Sequence, residues 1–122
     1  MRRLLFALDL KDDPTLIAEY EAWHQPERIW PEIPQFLRTA GIKELEIFRS
    51  GDRLVMVMEV SEDFSAEQLA TIGSANERVR AWEELMWKYQ RPLPFAAPGE
   101  KWVPLSRIFS LQETLKARRH NA

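Results

Sequence analysis

The chain has 122 residues, a length that fits one domain and leaves little room for a second. Hydrophobic residues make up 45% and charged residues 30%, an ordinary globular composition that excludes a disordered or fibrous chain. A formal net charge of -2 with scattered basic residues gives no nucleic-acid footprint, and the absence of cysteine excludes a disulfide scaffold and every thiolate metal site.

Residues 3–10 carry Leu4, Phe6, Leu8 and Leu10 at period two, with Asp9 on the other face, and predict a first strand. The apolar run after Arg2-Arg3 is too short for a signal peptide and meets Asp9, Lys11, Asp12 and Asp13 at once. No stretch approaches the length of a membrane span, so a soluble, cytoplasmic protein is expected.

Asp13-Pro14 supplies a cap and a proline for a helix over about 14–24, with Leu16, Tyr20 and His24 stacked on one face. Gln25-Pro26 breaks it. Trp30-Pro31-Glu32 opens a second helical piece with the stripe Ile33, Phe36, Leu37 and Ala40, closed by Gly41. A hairpin follows, with arms 43–49 and 53–60 around Ser50-Gly51-Asp52. In its second arm one face is wholly apolar, and the other is apolar but for Glu59.

Ser65 to Gln68 is a capping box, and Phe64 with Leu69 is its staple, for a short helix to about residue 72. Ser74 to Glu77 reads as a second box, opening a longer helix with Val79, Trp82, Met86 and Tyr89 at helical spacing. Pro92 and Pro94 end it, a loop spans 91–101, and a last strand is expected from Trp102 to Leu111. The charged tail either frays or forms a loose helix.

The order β-α-β-β-α-β predicts an α+β chain of ferredoxin-like type, with an antiparallel sheet and helices on one face. It is expected to be a single domain over 1–122, folded over about 2–112 with a tail at 113–122. Several strands are apolar on both faces, which asks for a second copy packed sheet to sheet, a homodimeric α/β barrel.

Of the two histidines, His120 lies in the tail and is expected to be idle. His24 ends the first helix, where the negative end of the helix dipole favours a protonated imidazole. It stands four residues after Tyr20, so the two are neighbours. The plain alternative is a helix-terminal cap, and the pattern alone favours that alternative. Five indoles are many for so short a chain, and they suit the C–H faces of a sugar as well as a core or an interface. Trp82 lies on the apolar stripe, where core is at least as good a reading as site; Trp23 and Trp87 fall off the stripes and suit an interface. Glu59 is either a site carboxylate or a strand-end residue. Two distant histidines without cysteine cannot build a closed transition-metal site, and the glycines form no phosphate loop. Acid–base chemistry without a cofactor is what these residues permit.

Tyr20-Glu21-Ala22-Trp23-His24, then Ile29-Trp30-Pro31-Glu32-Ile33, Gly41 and the strand Leu54 to Glu59 together resemble the L-rhamnose mutarotase family, from about Leu4 to about Leu111. The resemblance implies a dimeric ferredoxin-like enzyme that needs no cofactor and interconverts the α and β anomers of a 6-deoxy-L-hexose, L-rhamnose or L-fucose. It makes His24 the acid at the ring oxygen and Tyr20 a substrate-contacting or orienting group. Trp82 would stack on the sugar, Trp30 would close the pocket, and Glu59 is the carboxylate offered as base. Three departures alter the pocket wall: the family's paired tryptophans fall on Ala81 and Trp82, a second family tyrosine falls near Leu45, and two extra residues stand between His24 and Trp30. A cofactor-free monooxygenase and a non-catalytic ligand-binding module are the alternatives on the same fold.

Overall fold

The computed structural model describes residues 1–120; the side chain of His120 and residues 121–122 lie outside what is described. Strand β1 spans Arg2–Leu10 and pairs antiparallel with β3, Arg53–Val60, which in turn pairs with β2, Ile42–Ser50. On its other side β1 pairs with two short strands, β4 at Gln90–Arg91 and β5 at Val103–Pro104. These take successive stretches of the same edge: Leu10 faces Gln90, and Ala7 faces Val103. The fourth strand of the sheet is thus one line interrupted by a loop. The order β2-β3-β1-β4 is the ferredoxin-like arrangement expected.

The expected strand from Trp102 to Leu111 is reduced to two residues. Pro104 has no N–H to give to a ladder, which is tolerable only at an edge. Leu105 donates once to the Leu5 carbonyl at 2.8 Å, and beyond it the chain leaves the sheet. The tail then forms an exposed helix α5, Leu111–His120, begun by Ser110, whose Oγ accepts from the Glu113 amide at 3.2 Å.

Register decides which strand residues face the helices. Leu4, Phe6 and Leu8 stand opposite Met58, Met56 and Leu54, and all six point to the helical layer. Against them pack α1 (Pro14–Trp23), α2 (Glu32–Thr39), α3 (Ala66–Ser74) and α4 (Glu77–Trp87). One core cluster joins Leu10, Tyr20, Trp82, Met86 and Tyr89; a second joins Ile42, Met56, Met58, Val60 and Phe64.

Local chemistry sets the helix ends. Asp13 Oδ1 accepts from the Thr15 and Leu16 amides, as the Asp13-Pro14 signal predicts. Gly41 has φ 94°, and a Cβ there would meet Ser61 Oγ at 3.2 Å, so the α2-to-β2 turn requires glycine. The expected box at Ser74 is not the start of α4. Helix α3 runs through Ser74, whose Oγ turns back to the Thr71 carbonyl, and Asn76 caps α4 through the Arg78 and Val79 amides. Asn76→Ala should therefore cost about 1 kcal/mol in chemical denaturation, whereas Ser74→Ala should cost much less.

Candidate active site

The last turn of α1 places two polar rings together. Tyr20 and His24 are one turn apart, with ring centroids 4.5 Å apart. The His24 ring donates from Nδ1 to the Tyr20 carbonyl at 2.7 Å, since a carbonyl only accepts. In the neutral ring this leaves the lone pair on Nε2. Burial lowers the His24 pKa below its ordinary value and outweighs the Tyr20 carbonyl, which acts the other way. Burial therefore favours the neutral ring at neutral pH, against the protonated imidazole expected from the helix end.

Aromatic side chains fix that ring. Trp82 from α4 meets His24 edge to face at 5.5 Å. Trp23 abuts Trp82 at 6.4 Å and donates from its indole to the Tyr89 hydroxyl at 3.0 Å. Trp30 abuts Trp82 at 5.3 Å, with the Arg78 guanidinium stacked on it 3.9 Å from the ring centroid.

A cavity of about 640 Å³ lies between the sheet and the helices, a size within the range of small-molecule sites. Tyr20, His24, Trp82 and Gln90 line it together, and much of the remaining wall is apolar, including Leu45 and Trp102. Burial pushes the Tyr20 phenol up to about 12, with the Glu83 carboxylate adding to the rise, so the phenol stays a proton donor. Gln90 Nε2 donates to the Tyr20 hydroxyl at 3.4 Å, leaving the phenolic proton free for a ligand.

Three of the residues singled out in the sequence, His24, Tyr20 and Trp82, meet on this cavity. Trp30 packs against Trp82 and is not among the residues that line the cavity. Glu59 is misplaced as a base. The register sets it with Val55 and Val57 on the face turned from the helices, exposed and opposite Arg3 and Glu44. The carboxylates that do line the cavity are Glu83 and Glu84, and Glu83 is held by Lys101 Nζ at 2.5 Å. Gln90 gave no signal, because its strand has only two residues. Trp23 is tied to the core by Tyr89, while Trp87 is partly exposed, has Lys101 over its ring and lines the cavity. Among the described residues no three of His, Cys, Asp or Glu are grouped to hold a metal ion.

The family model for L-rhamnose mutarotase matches residues 3–111. The chain belongs to this family. An L-fucose mutarotase of Xanthomonas campestris pv. campestris is 52% identical over 122 residues, covering 100% of this chain and 98% of that protein. An L-rhamnose mutarotase of Acidiphilium cryptum is 32% identical, covering 91% of this chain and 99% of that one. The crystal structure of an L-rhamnose mutarotase from Formosa agariphila superposes with a TM-score of 0.65 over 91% of this chain and 99% of that one, at 24% identity, and confirms the fold. As a family member the chain is an isomerase of sugar anomers. Leu45, near which the resemblance places a second family tyrosine, lines the cavity wall.

Proposed function

We propose that this mutarotase acts on L-fucose and that His24 and Tyr20 are its proton-transfer pair. The contact of these two rings at the polar part of the cavity carries the chemical reading. The full-length likeness to an L-fucose mutarotase, at 52% against 32% for an L-rhamnose enzyme, carries the choice of sugar.

Ring opening requires a proton to leave the anomeric oxygen and another to reach the ring oxygen. Neutral His24, expected from the resemblance to be the acid at the ring oxygen, instead takes the first on Nε2 as the base. The C1–O5 bond breaks as the C1=O1 bond forms, and the Tyr20 phenol gives its proton to O5. The aldehyde turns about C1–C2. On reclosure O5 returns its proton to Tyr20 and attacks the other face of C1, while the imidazolium gives its proton to O1. Both side chains end as they began. The transient phenolate lies beside the transient imidazolium, which offsets a charge that burial alone disfavours. Such positioned proton transfers contribute about 10²–10⁴-fold each. No atom changes its oxidation state overall, so the reaction balances without a redox partner, and Trp82 offers an indole face to the sugar.

A homodimer fits the outer surface. Phe48 is 54% exposed on the sheet face turned from the helices, beside the half-buried Leu5, Val55 and Val57. The segment after β5 exposes Leu105, Ile108, Phe109 and Leu111. A second copy packed on the sheet face would cover the first set. No helix among the described residues is long and apolar enough to cross a membrane, in keeping with the cytoplasmic setting we propose for this sugar-catabolic enzyme.

The test is exchange NMR on the anomeric protons of L-fucose, L-rhamnose and D-glucose. The expected outcome is faster exchange for L-fucose than for L-rhamnose and none above background for D-glucose. Preference for L-rhamnose would overturn the choice of sugar, and no acceleration of any would overturn the proton-transfer pair.

A further inference from the structure

Strand β4 contributes two residues with opposite fates. Arg91 points to the outer face, where its Nη2 lies 2.8 Å from Asp52 Oδ2 and 3.6 Å from Asp9 Oδ2. Alternation then forces Gln90 inward. The ladder partner Leu10 and the bond from the Lys11 amide to the Tyr89 carbonyl, 2.8 Å, hold the backbone in that register. Gln90 is 4% exposed, an amide set among Tyr20, Trp82 and Met86 on the cavity wall. One end of the amide is bonded to the Tyr20 hydroxyl, at a long 3.4 Å. The other, Oε1, is buried with no partner among the described residues. Turning the amide over only exchanges which end is left, because the Tyr20 hydroxyl can serve either. A buried amide with an unpaired end is destabilising, and a native protein that keeps one in a cavity wall has a use for it there, a ligand, water or ion that completes it. Methionine or leucine would fill the same space at no such cost.

We propose that Gln90 is the residue that selects among 6-deoxy-L-hexoses, by hydrogen-bonding a ring hydroxyl of the sugar seated beside Tyr20. This rests on the mutarotase reading of the same site. L-fucose and L-rhamnose differ in configuration at C2 and C4, so a fixed amide can meet the hydroxyl at one of these carbons in one sugar and miss it in the other. The remaining ring positions carry no information that separates the two. A site built to bond a hydroxyl discriminates strongly against the analogue that lacks it, since its own buried polar group is then left unpaired.

The experiment is a cycle of Gln90→Met against L-fucose, 2-deoxy-L-fucose and 4-deoxy-L-fucose, read by anomeric exchange and by thermal unfolding. With the wild type, one of the two deoxy sugars should lose about tenfold to a hundredfold in kcat/KM. In Gln90→Met that loss should shrink to less than about threefold, with KM for L-fucose raised more than kcat is lowered. The variant's unfolding midpoint should stay level or rise, which a purely structural amide would not do. Equal losses for both deoxy sugars in both proteins would overturn the proposal. So would a wild type indifferent to both, a result that needs no variant to fold. If the wild type accelerates L-rhamnose in place of L-fucose, the choice of sugar fails by itself, and the 2- and 4-deoxy forms of L-rhamnose decide the role of Gln90 by the same criterion.

Discussion

His24→Gln should slow anomeric exchange by about 10²–10⁴-fold at pH 7.5, with background mutarotation subtracted. Glutamine keeps a polar group of similar reach but cannot take a proton from the anomeric oxygen and return it. The wild-type rate also has a sign to reveal. The His24 pKa is lowered from its ordinary 6.5 by burial, so the neutral, accepting form prevails at neutral pH. The rate should therefore be level near pH 7.5 and fall as the solution is acidified through a midpoint below 6.5. An imidazole needed in its protonated form would give the reverse, a rate that falls as pH rises through that midpoint. Stability follows by linkage. Because the folded pKa is depressed, the unfolded chain binds the extra proton more readily. The contribution is complete above the unfolded value and is lost as pH falls through the folded one. His24→Gln should flatten this part of the stability–pH curve, and a profile as steep as that of the wild type would show that another group is responsible.

How much of this site can be read without coordinates depends on which physical rule places each residue. Tyr20 and His24 are legible because a helix puts residues four apart on one face whatever surrounds it, and Asp13-Pro14 marks where that helix begins. Trp82 is legible for the same reason, through its spacing from Val79 and Met86. Glu59 misleads because β3 is apolar on both faces, so alternation gives two sets of residues without saying which set meets the helices; pairing with β1 and β2 alone decides it. The fourth strand is hidden in another way. Its two pieces lie on either side of residues 92–102, and neither is long enough to show a period. Gln90, the polar residue that tertiary pairing drives into the cavity, therefore carries no local mark. The dipole argument for His24 fails for want of one quantity, the extent to which Trp82 and Tyr20 exclude water from the ring.

Trp82→Ala should be the most destabilising single change at the site. The indole is 5% exposed and touches His24, Trp23 and Trp30 at once, so its loss opens a large gap that three neighbouring rings cannot close without moving. Truncations of this kind cost about 3–5 kcal/mol, a large part of the roughly 5–15 kcal/mol that holds a domain folded. Chemical denaturation should show that loss, and a curve unchanged from wild type would remove Trp82 from the core. The same side chain also forms cavity wall, so lost activity in the alanine variant would not separate support of His24 from contact with the sugar. Trp82→Phe separates them. Phenylalanine keeps an aromatic edge against His24 and most of the buried area, which should spare stability and kcat together. It offers the sugar a smaller face and no N–H, so KM for L-fucose should still rise. A phenylalanine variant with unchanged KM and reduced kcat would instead assign Trp82 to holding the imidazole alone.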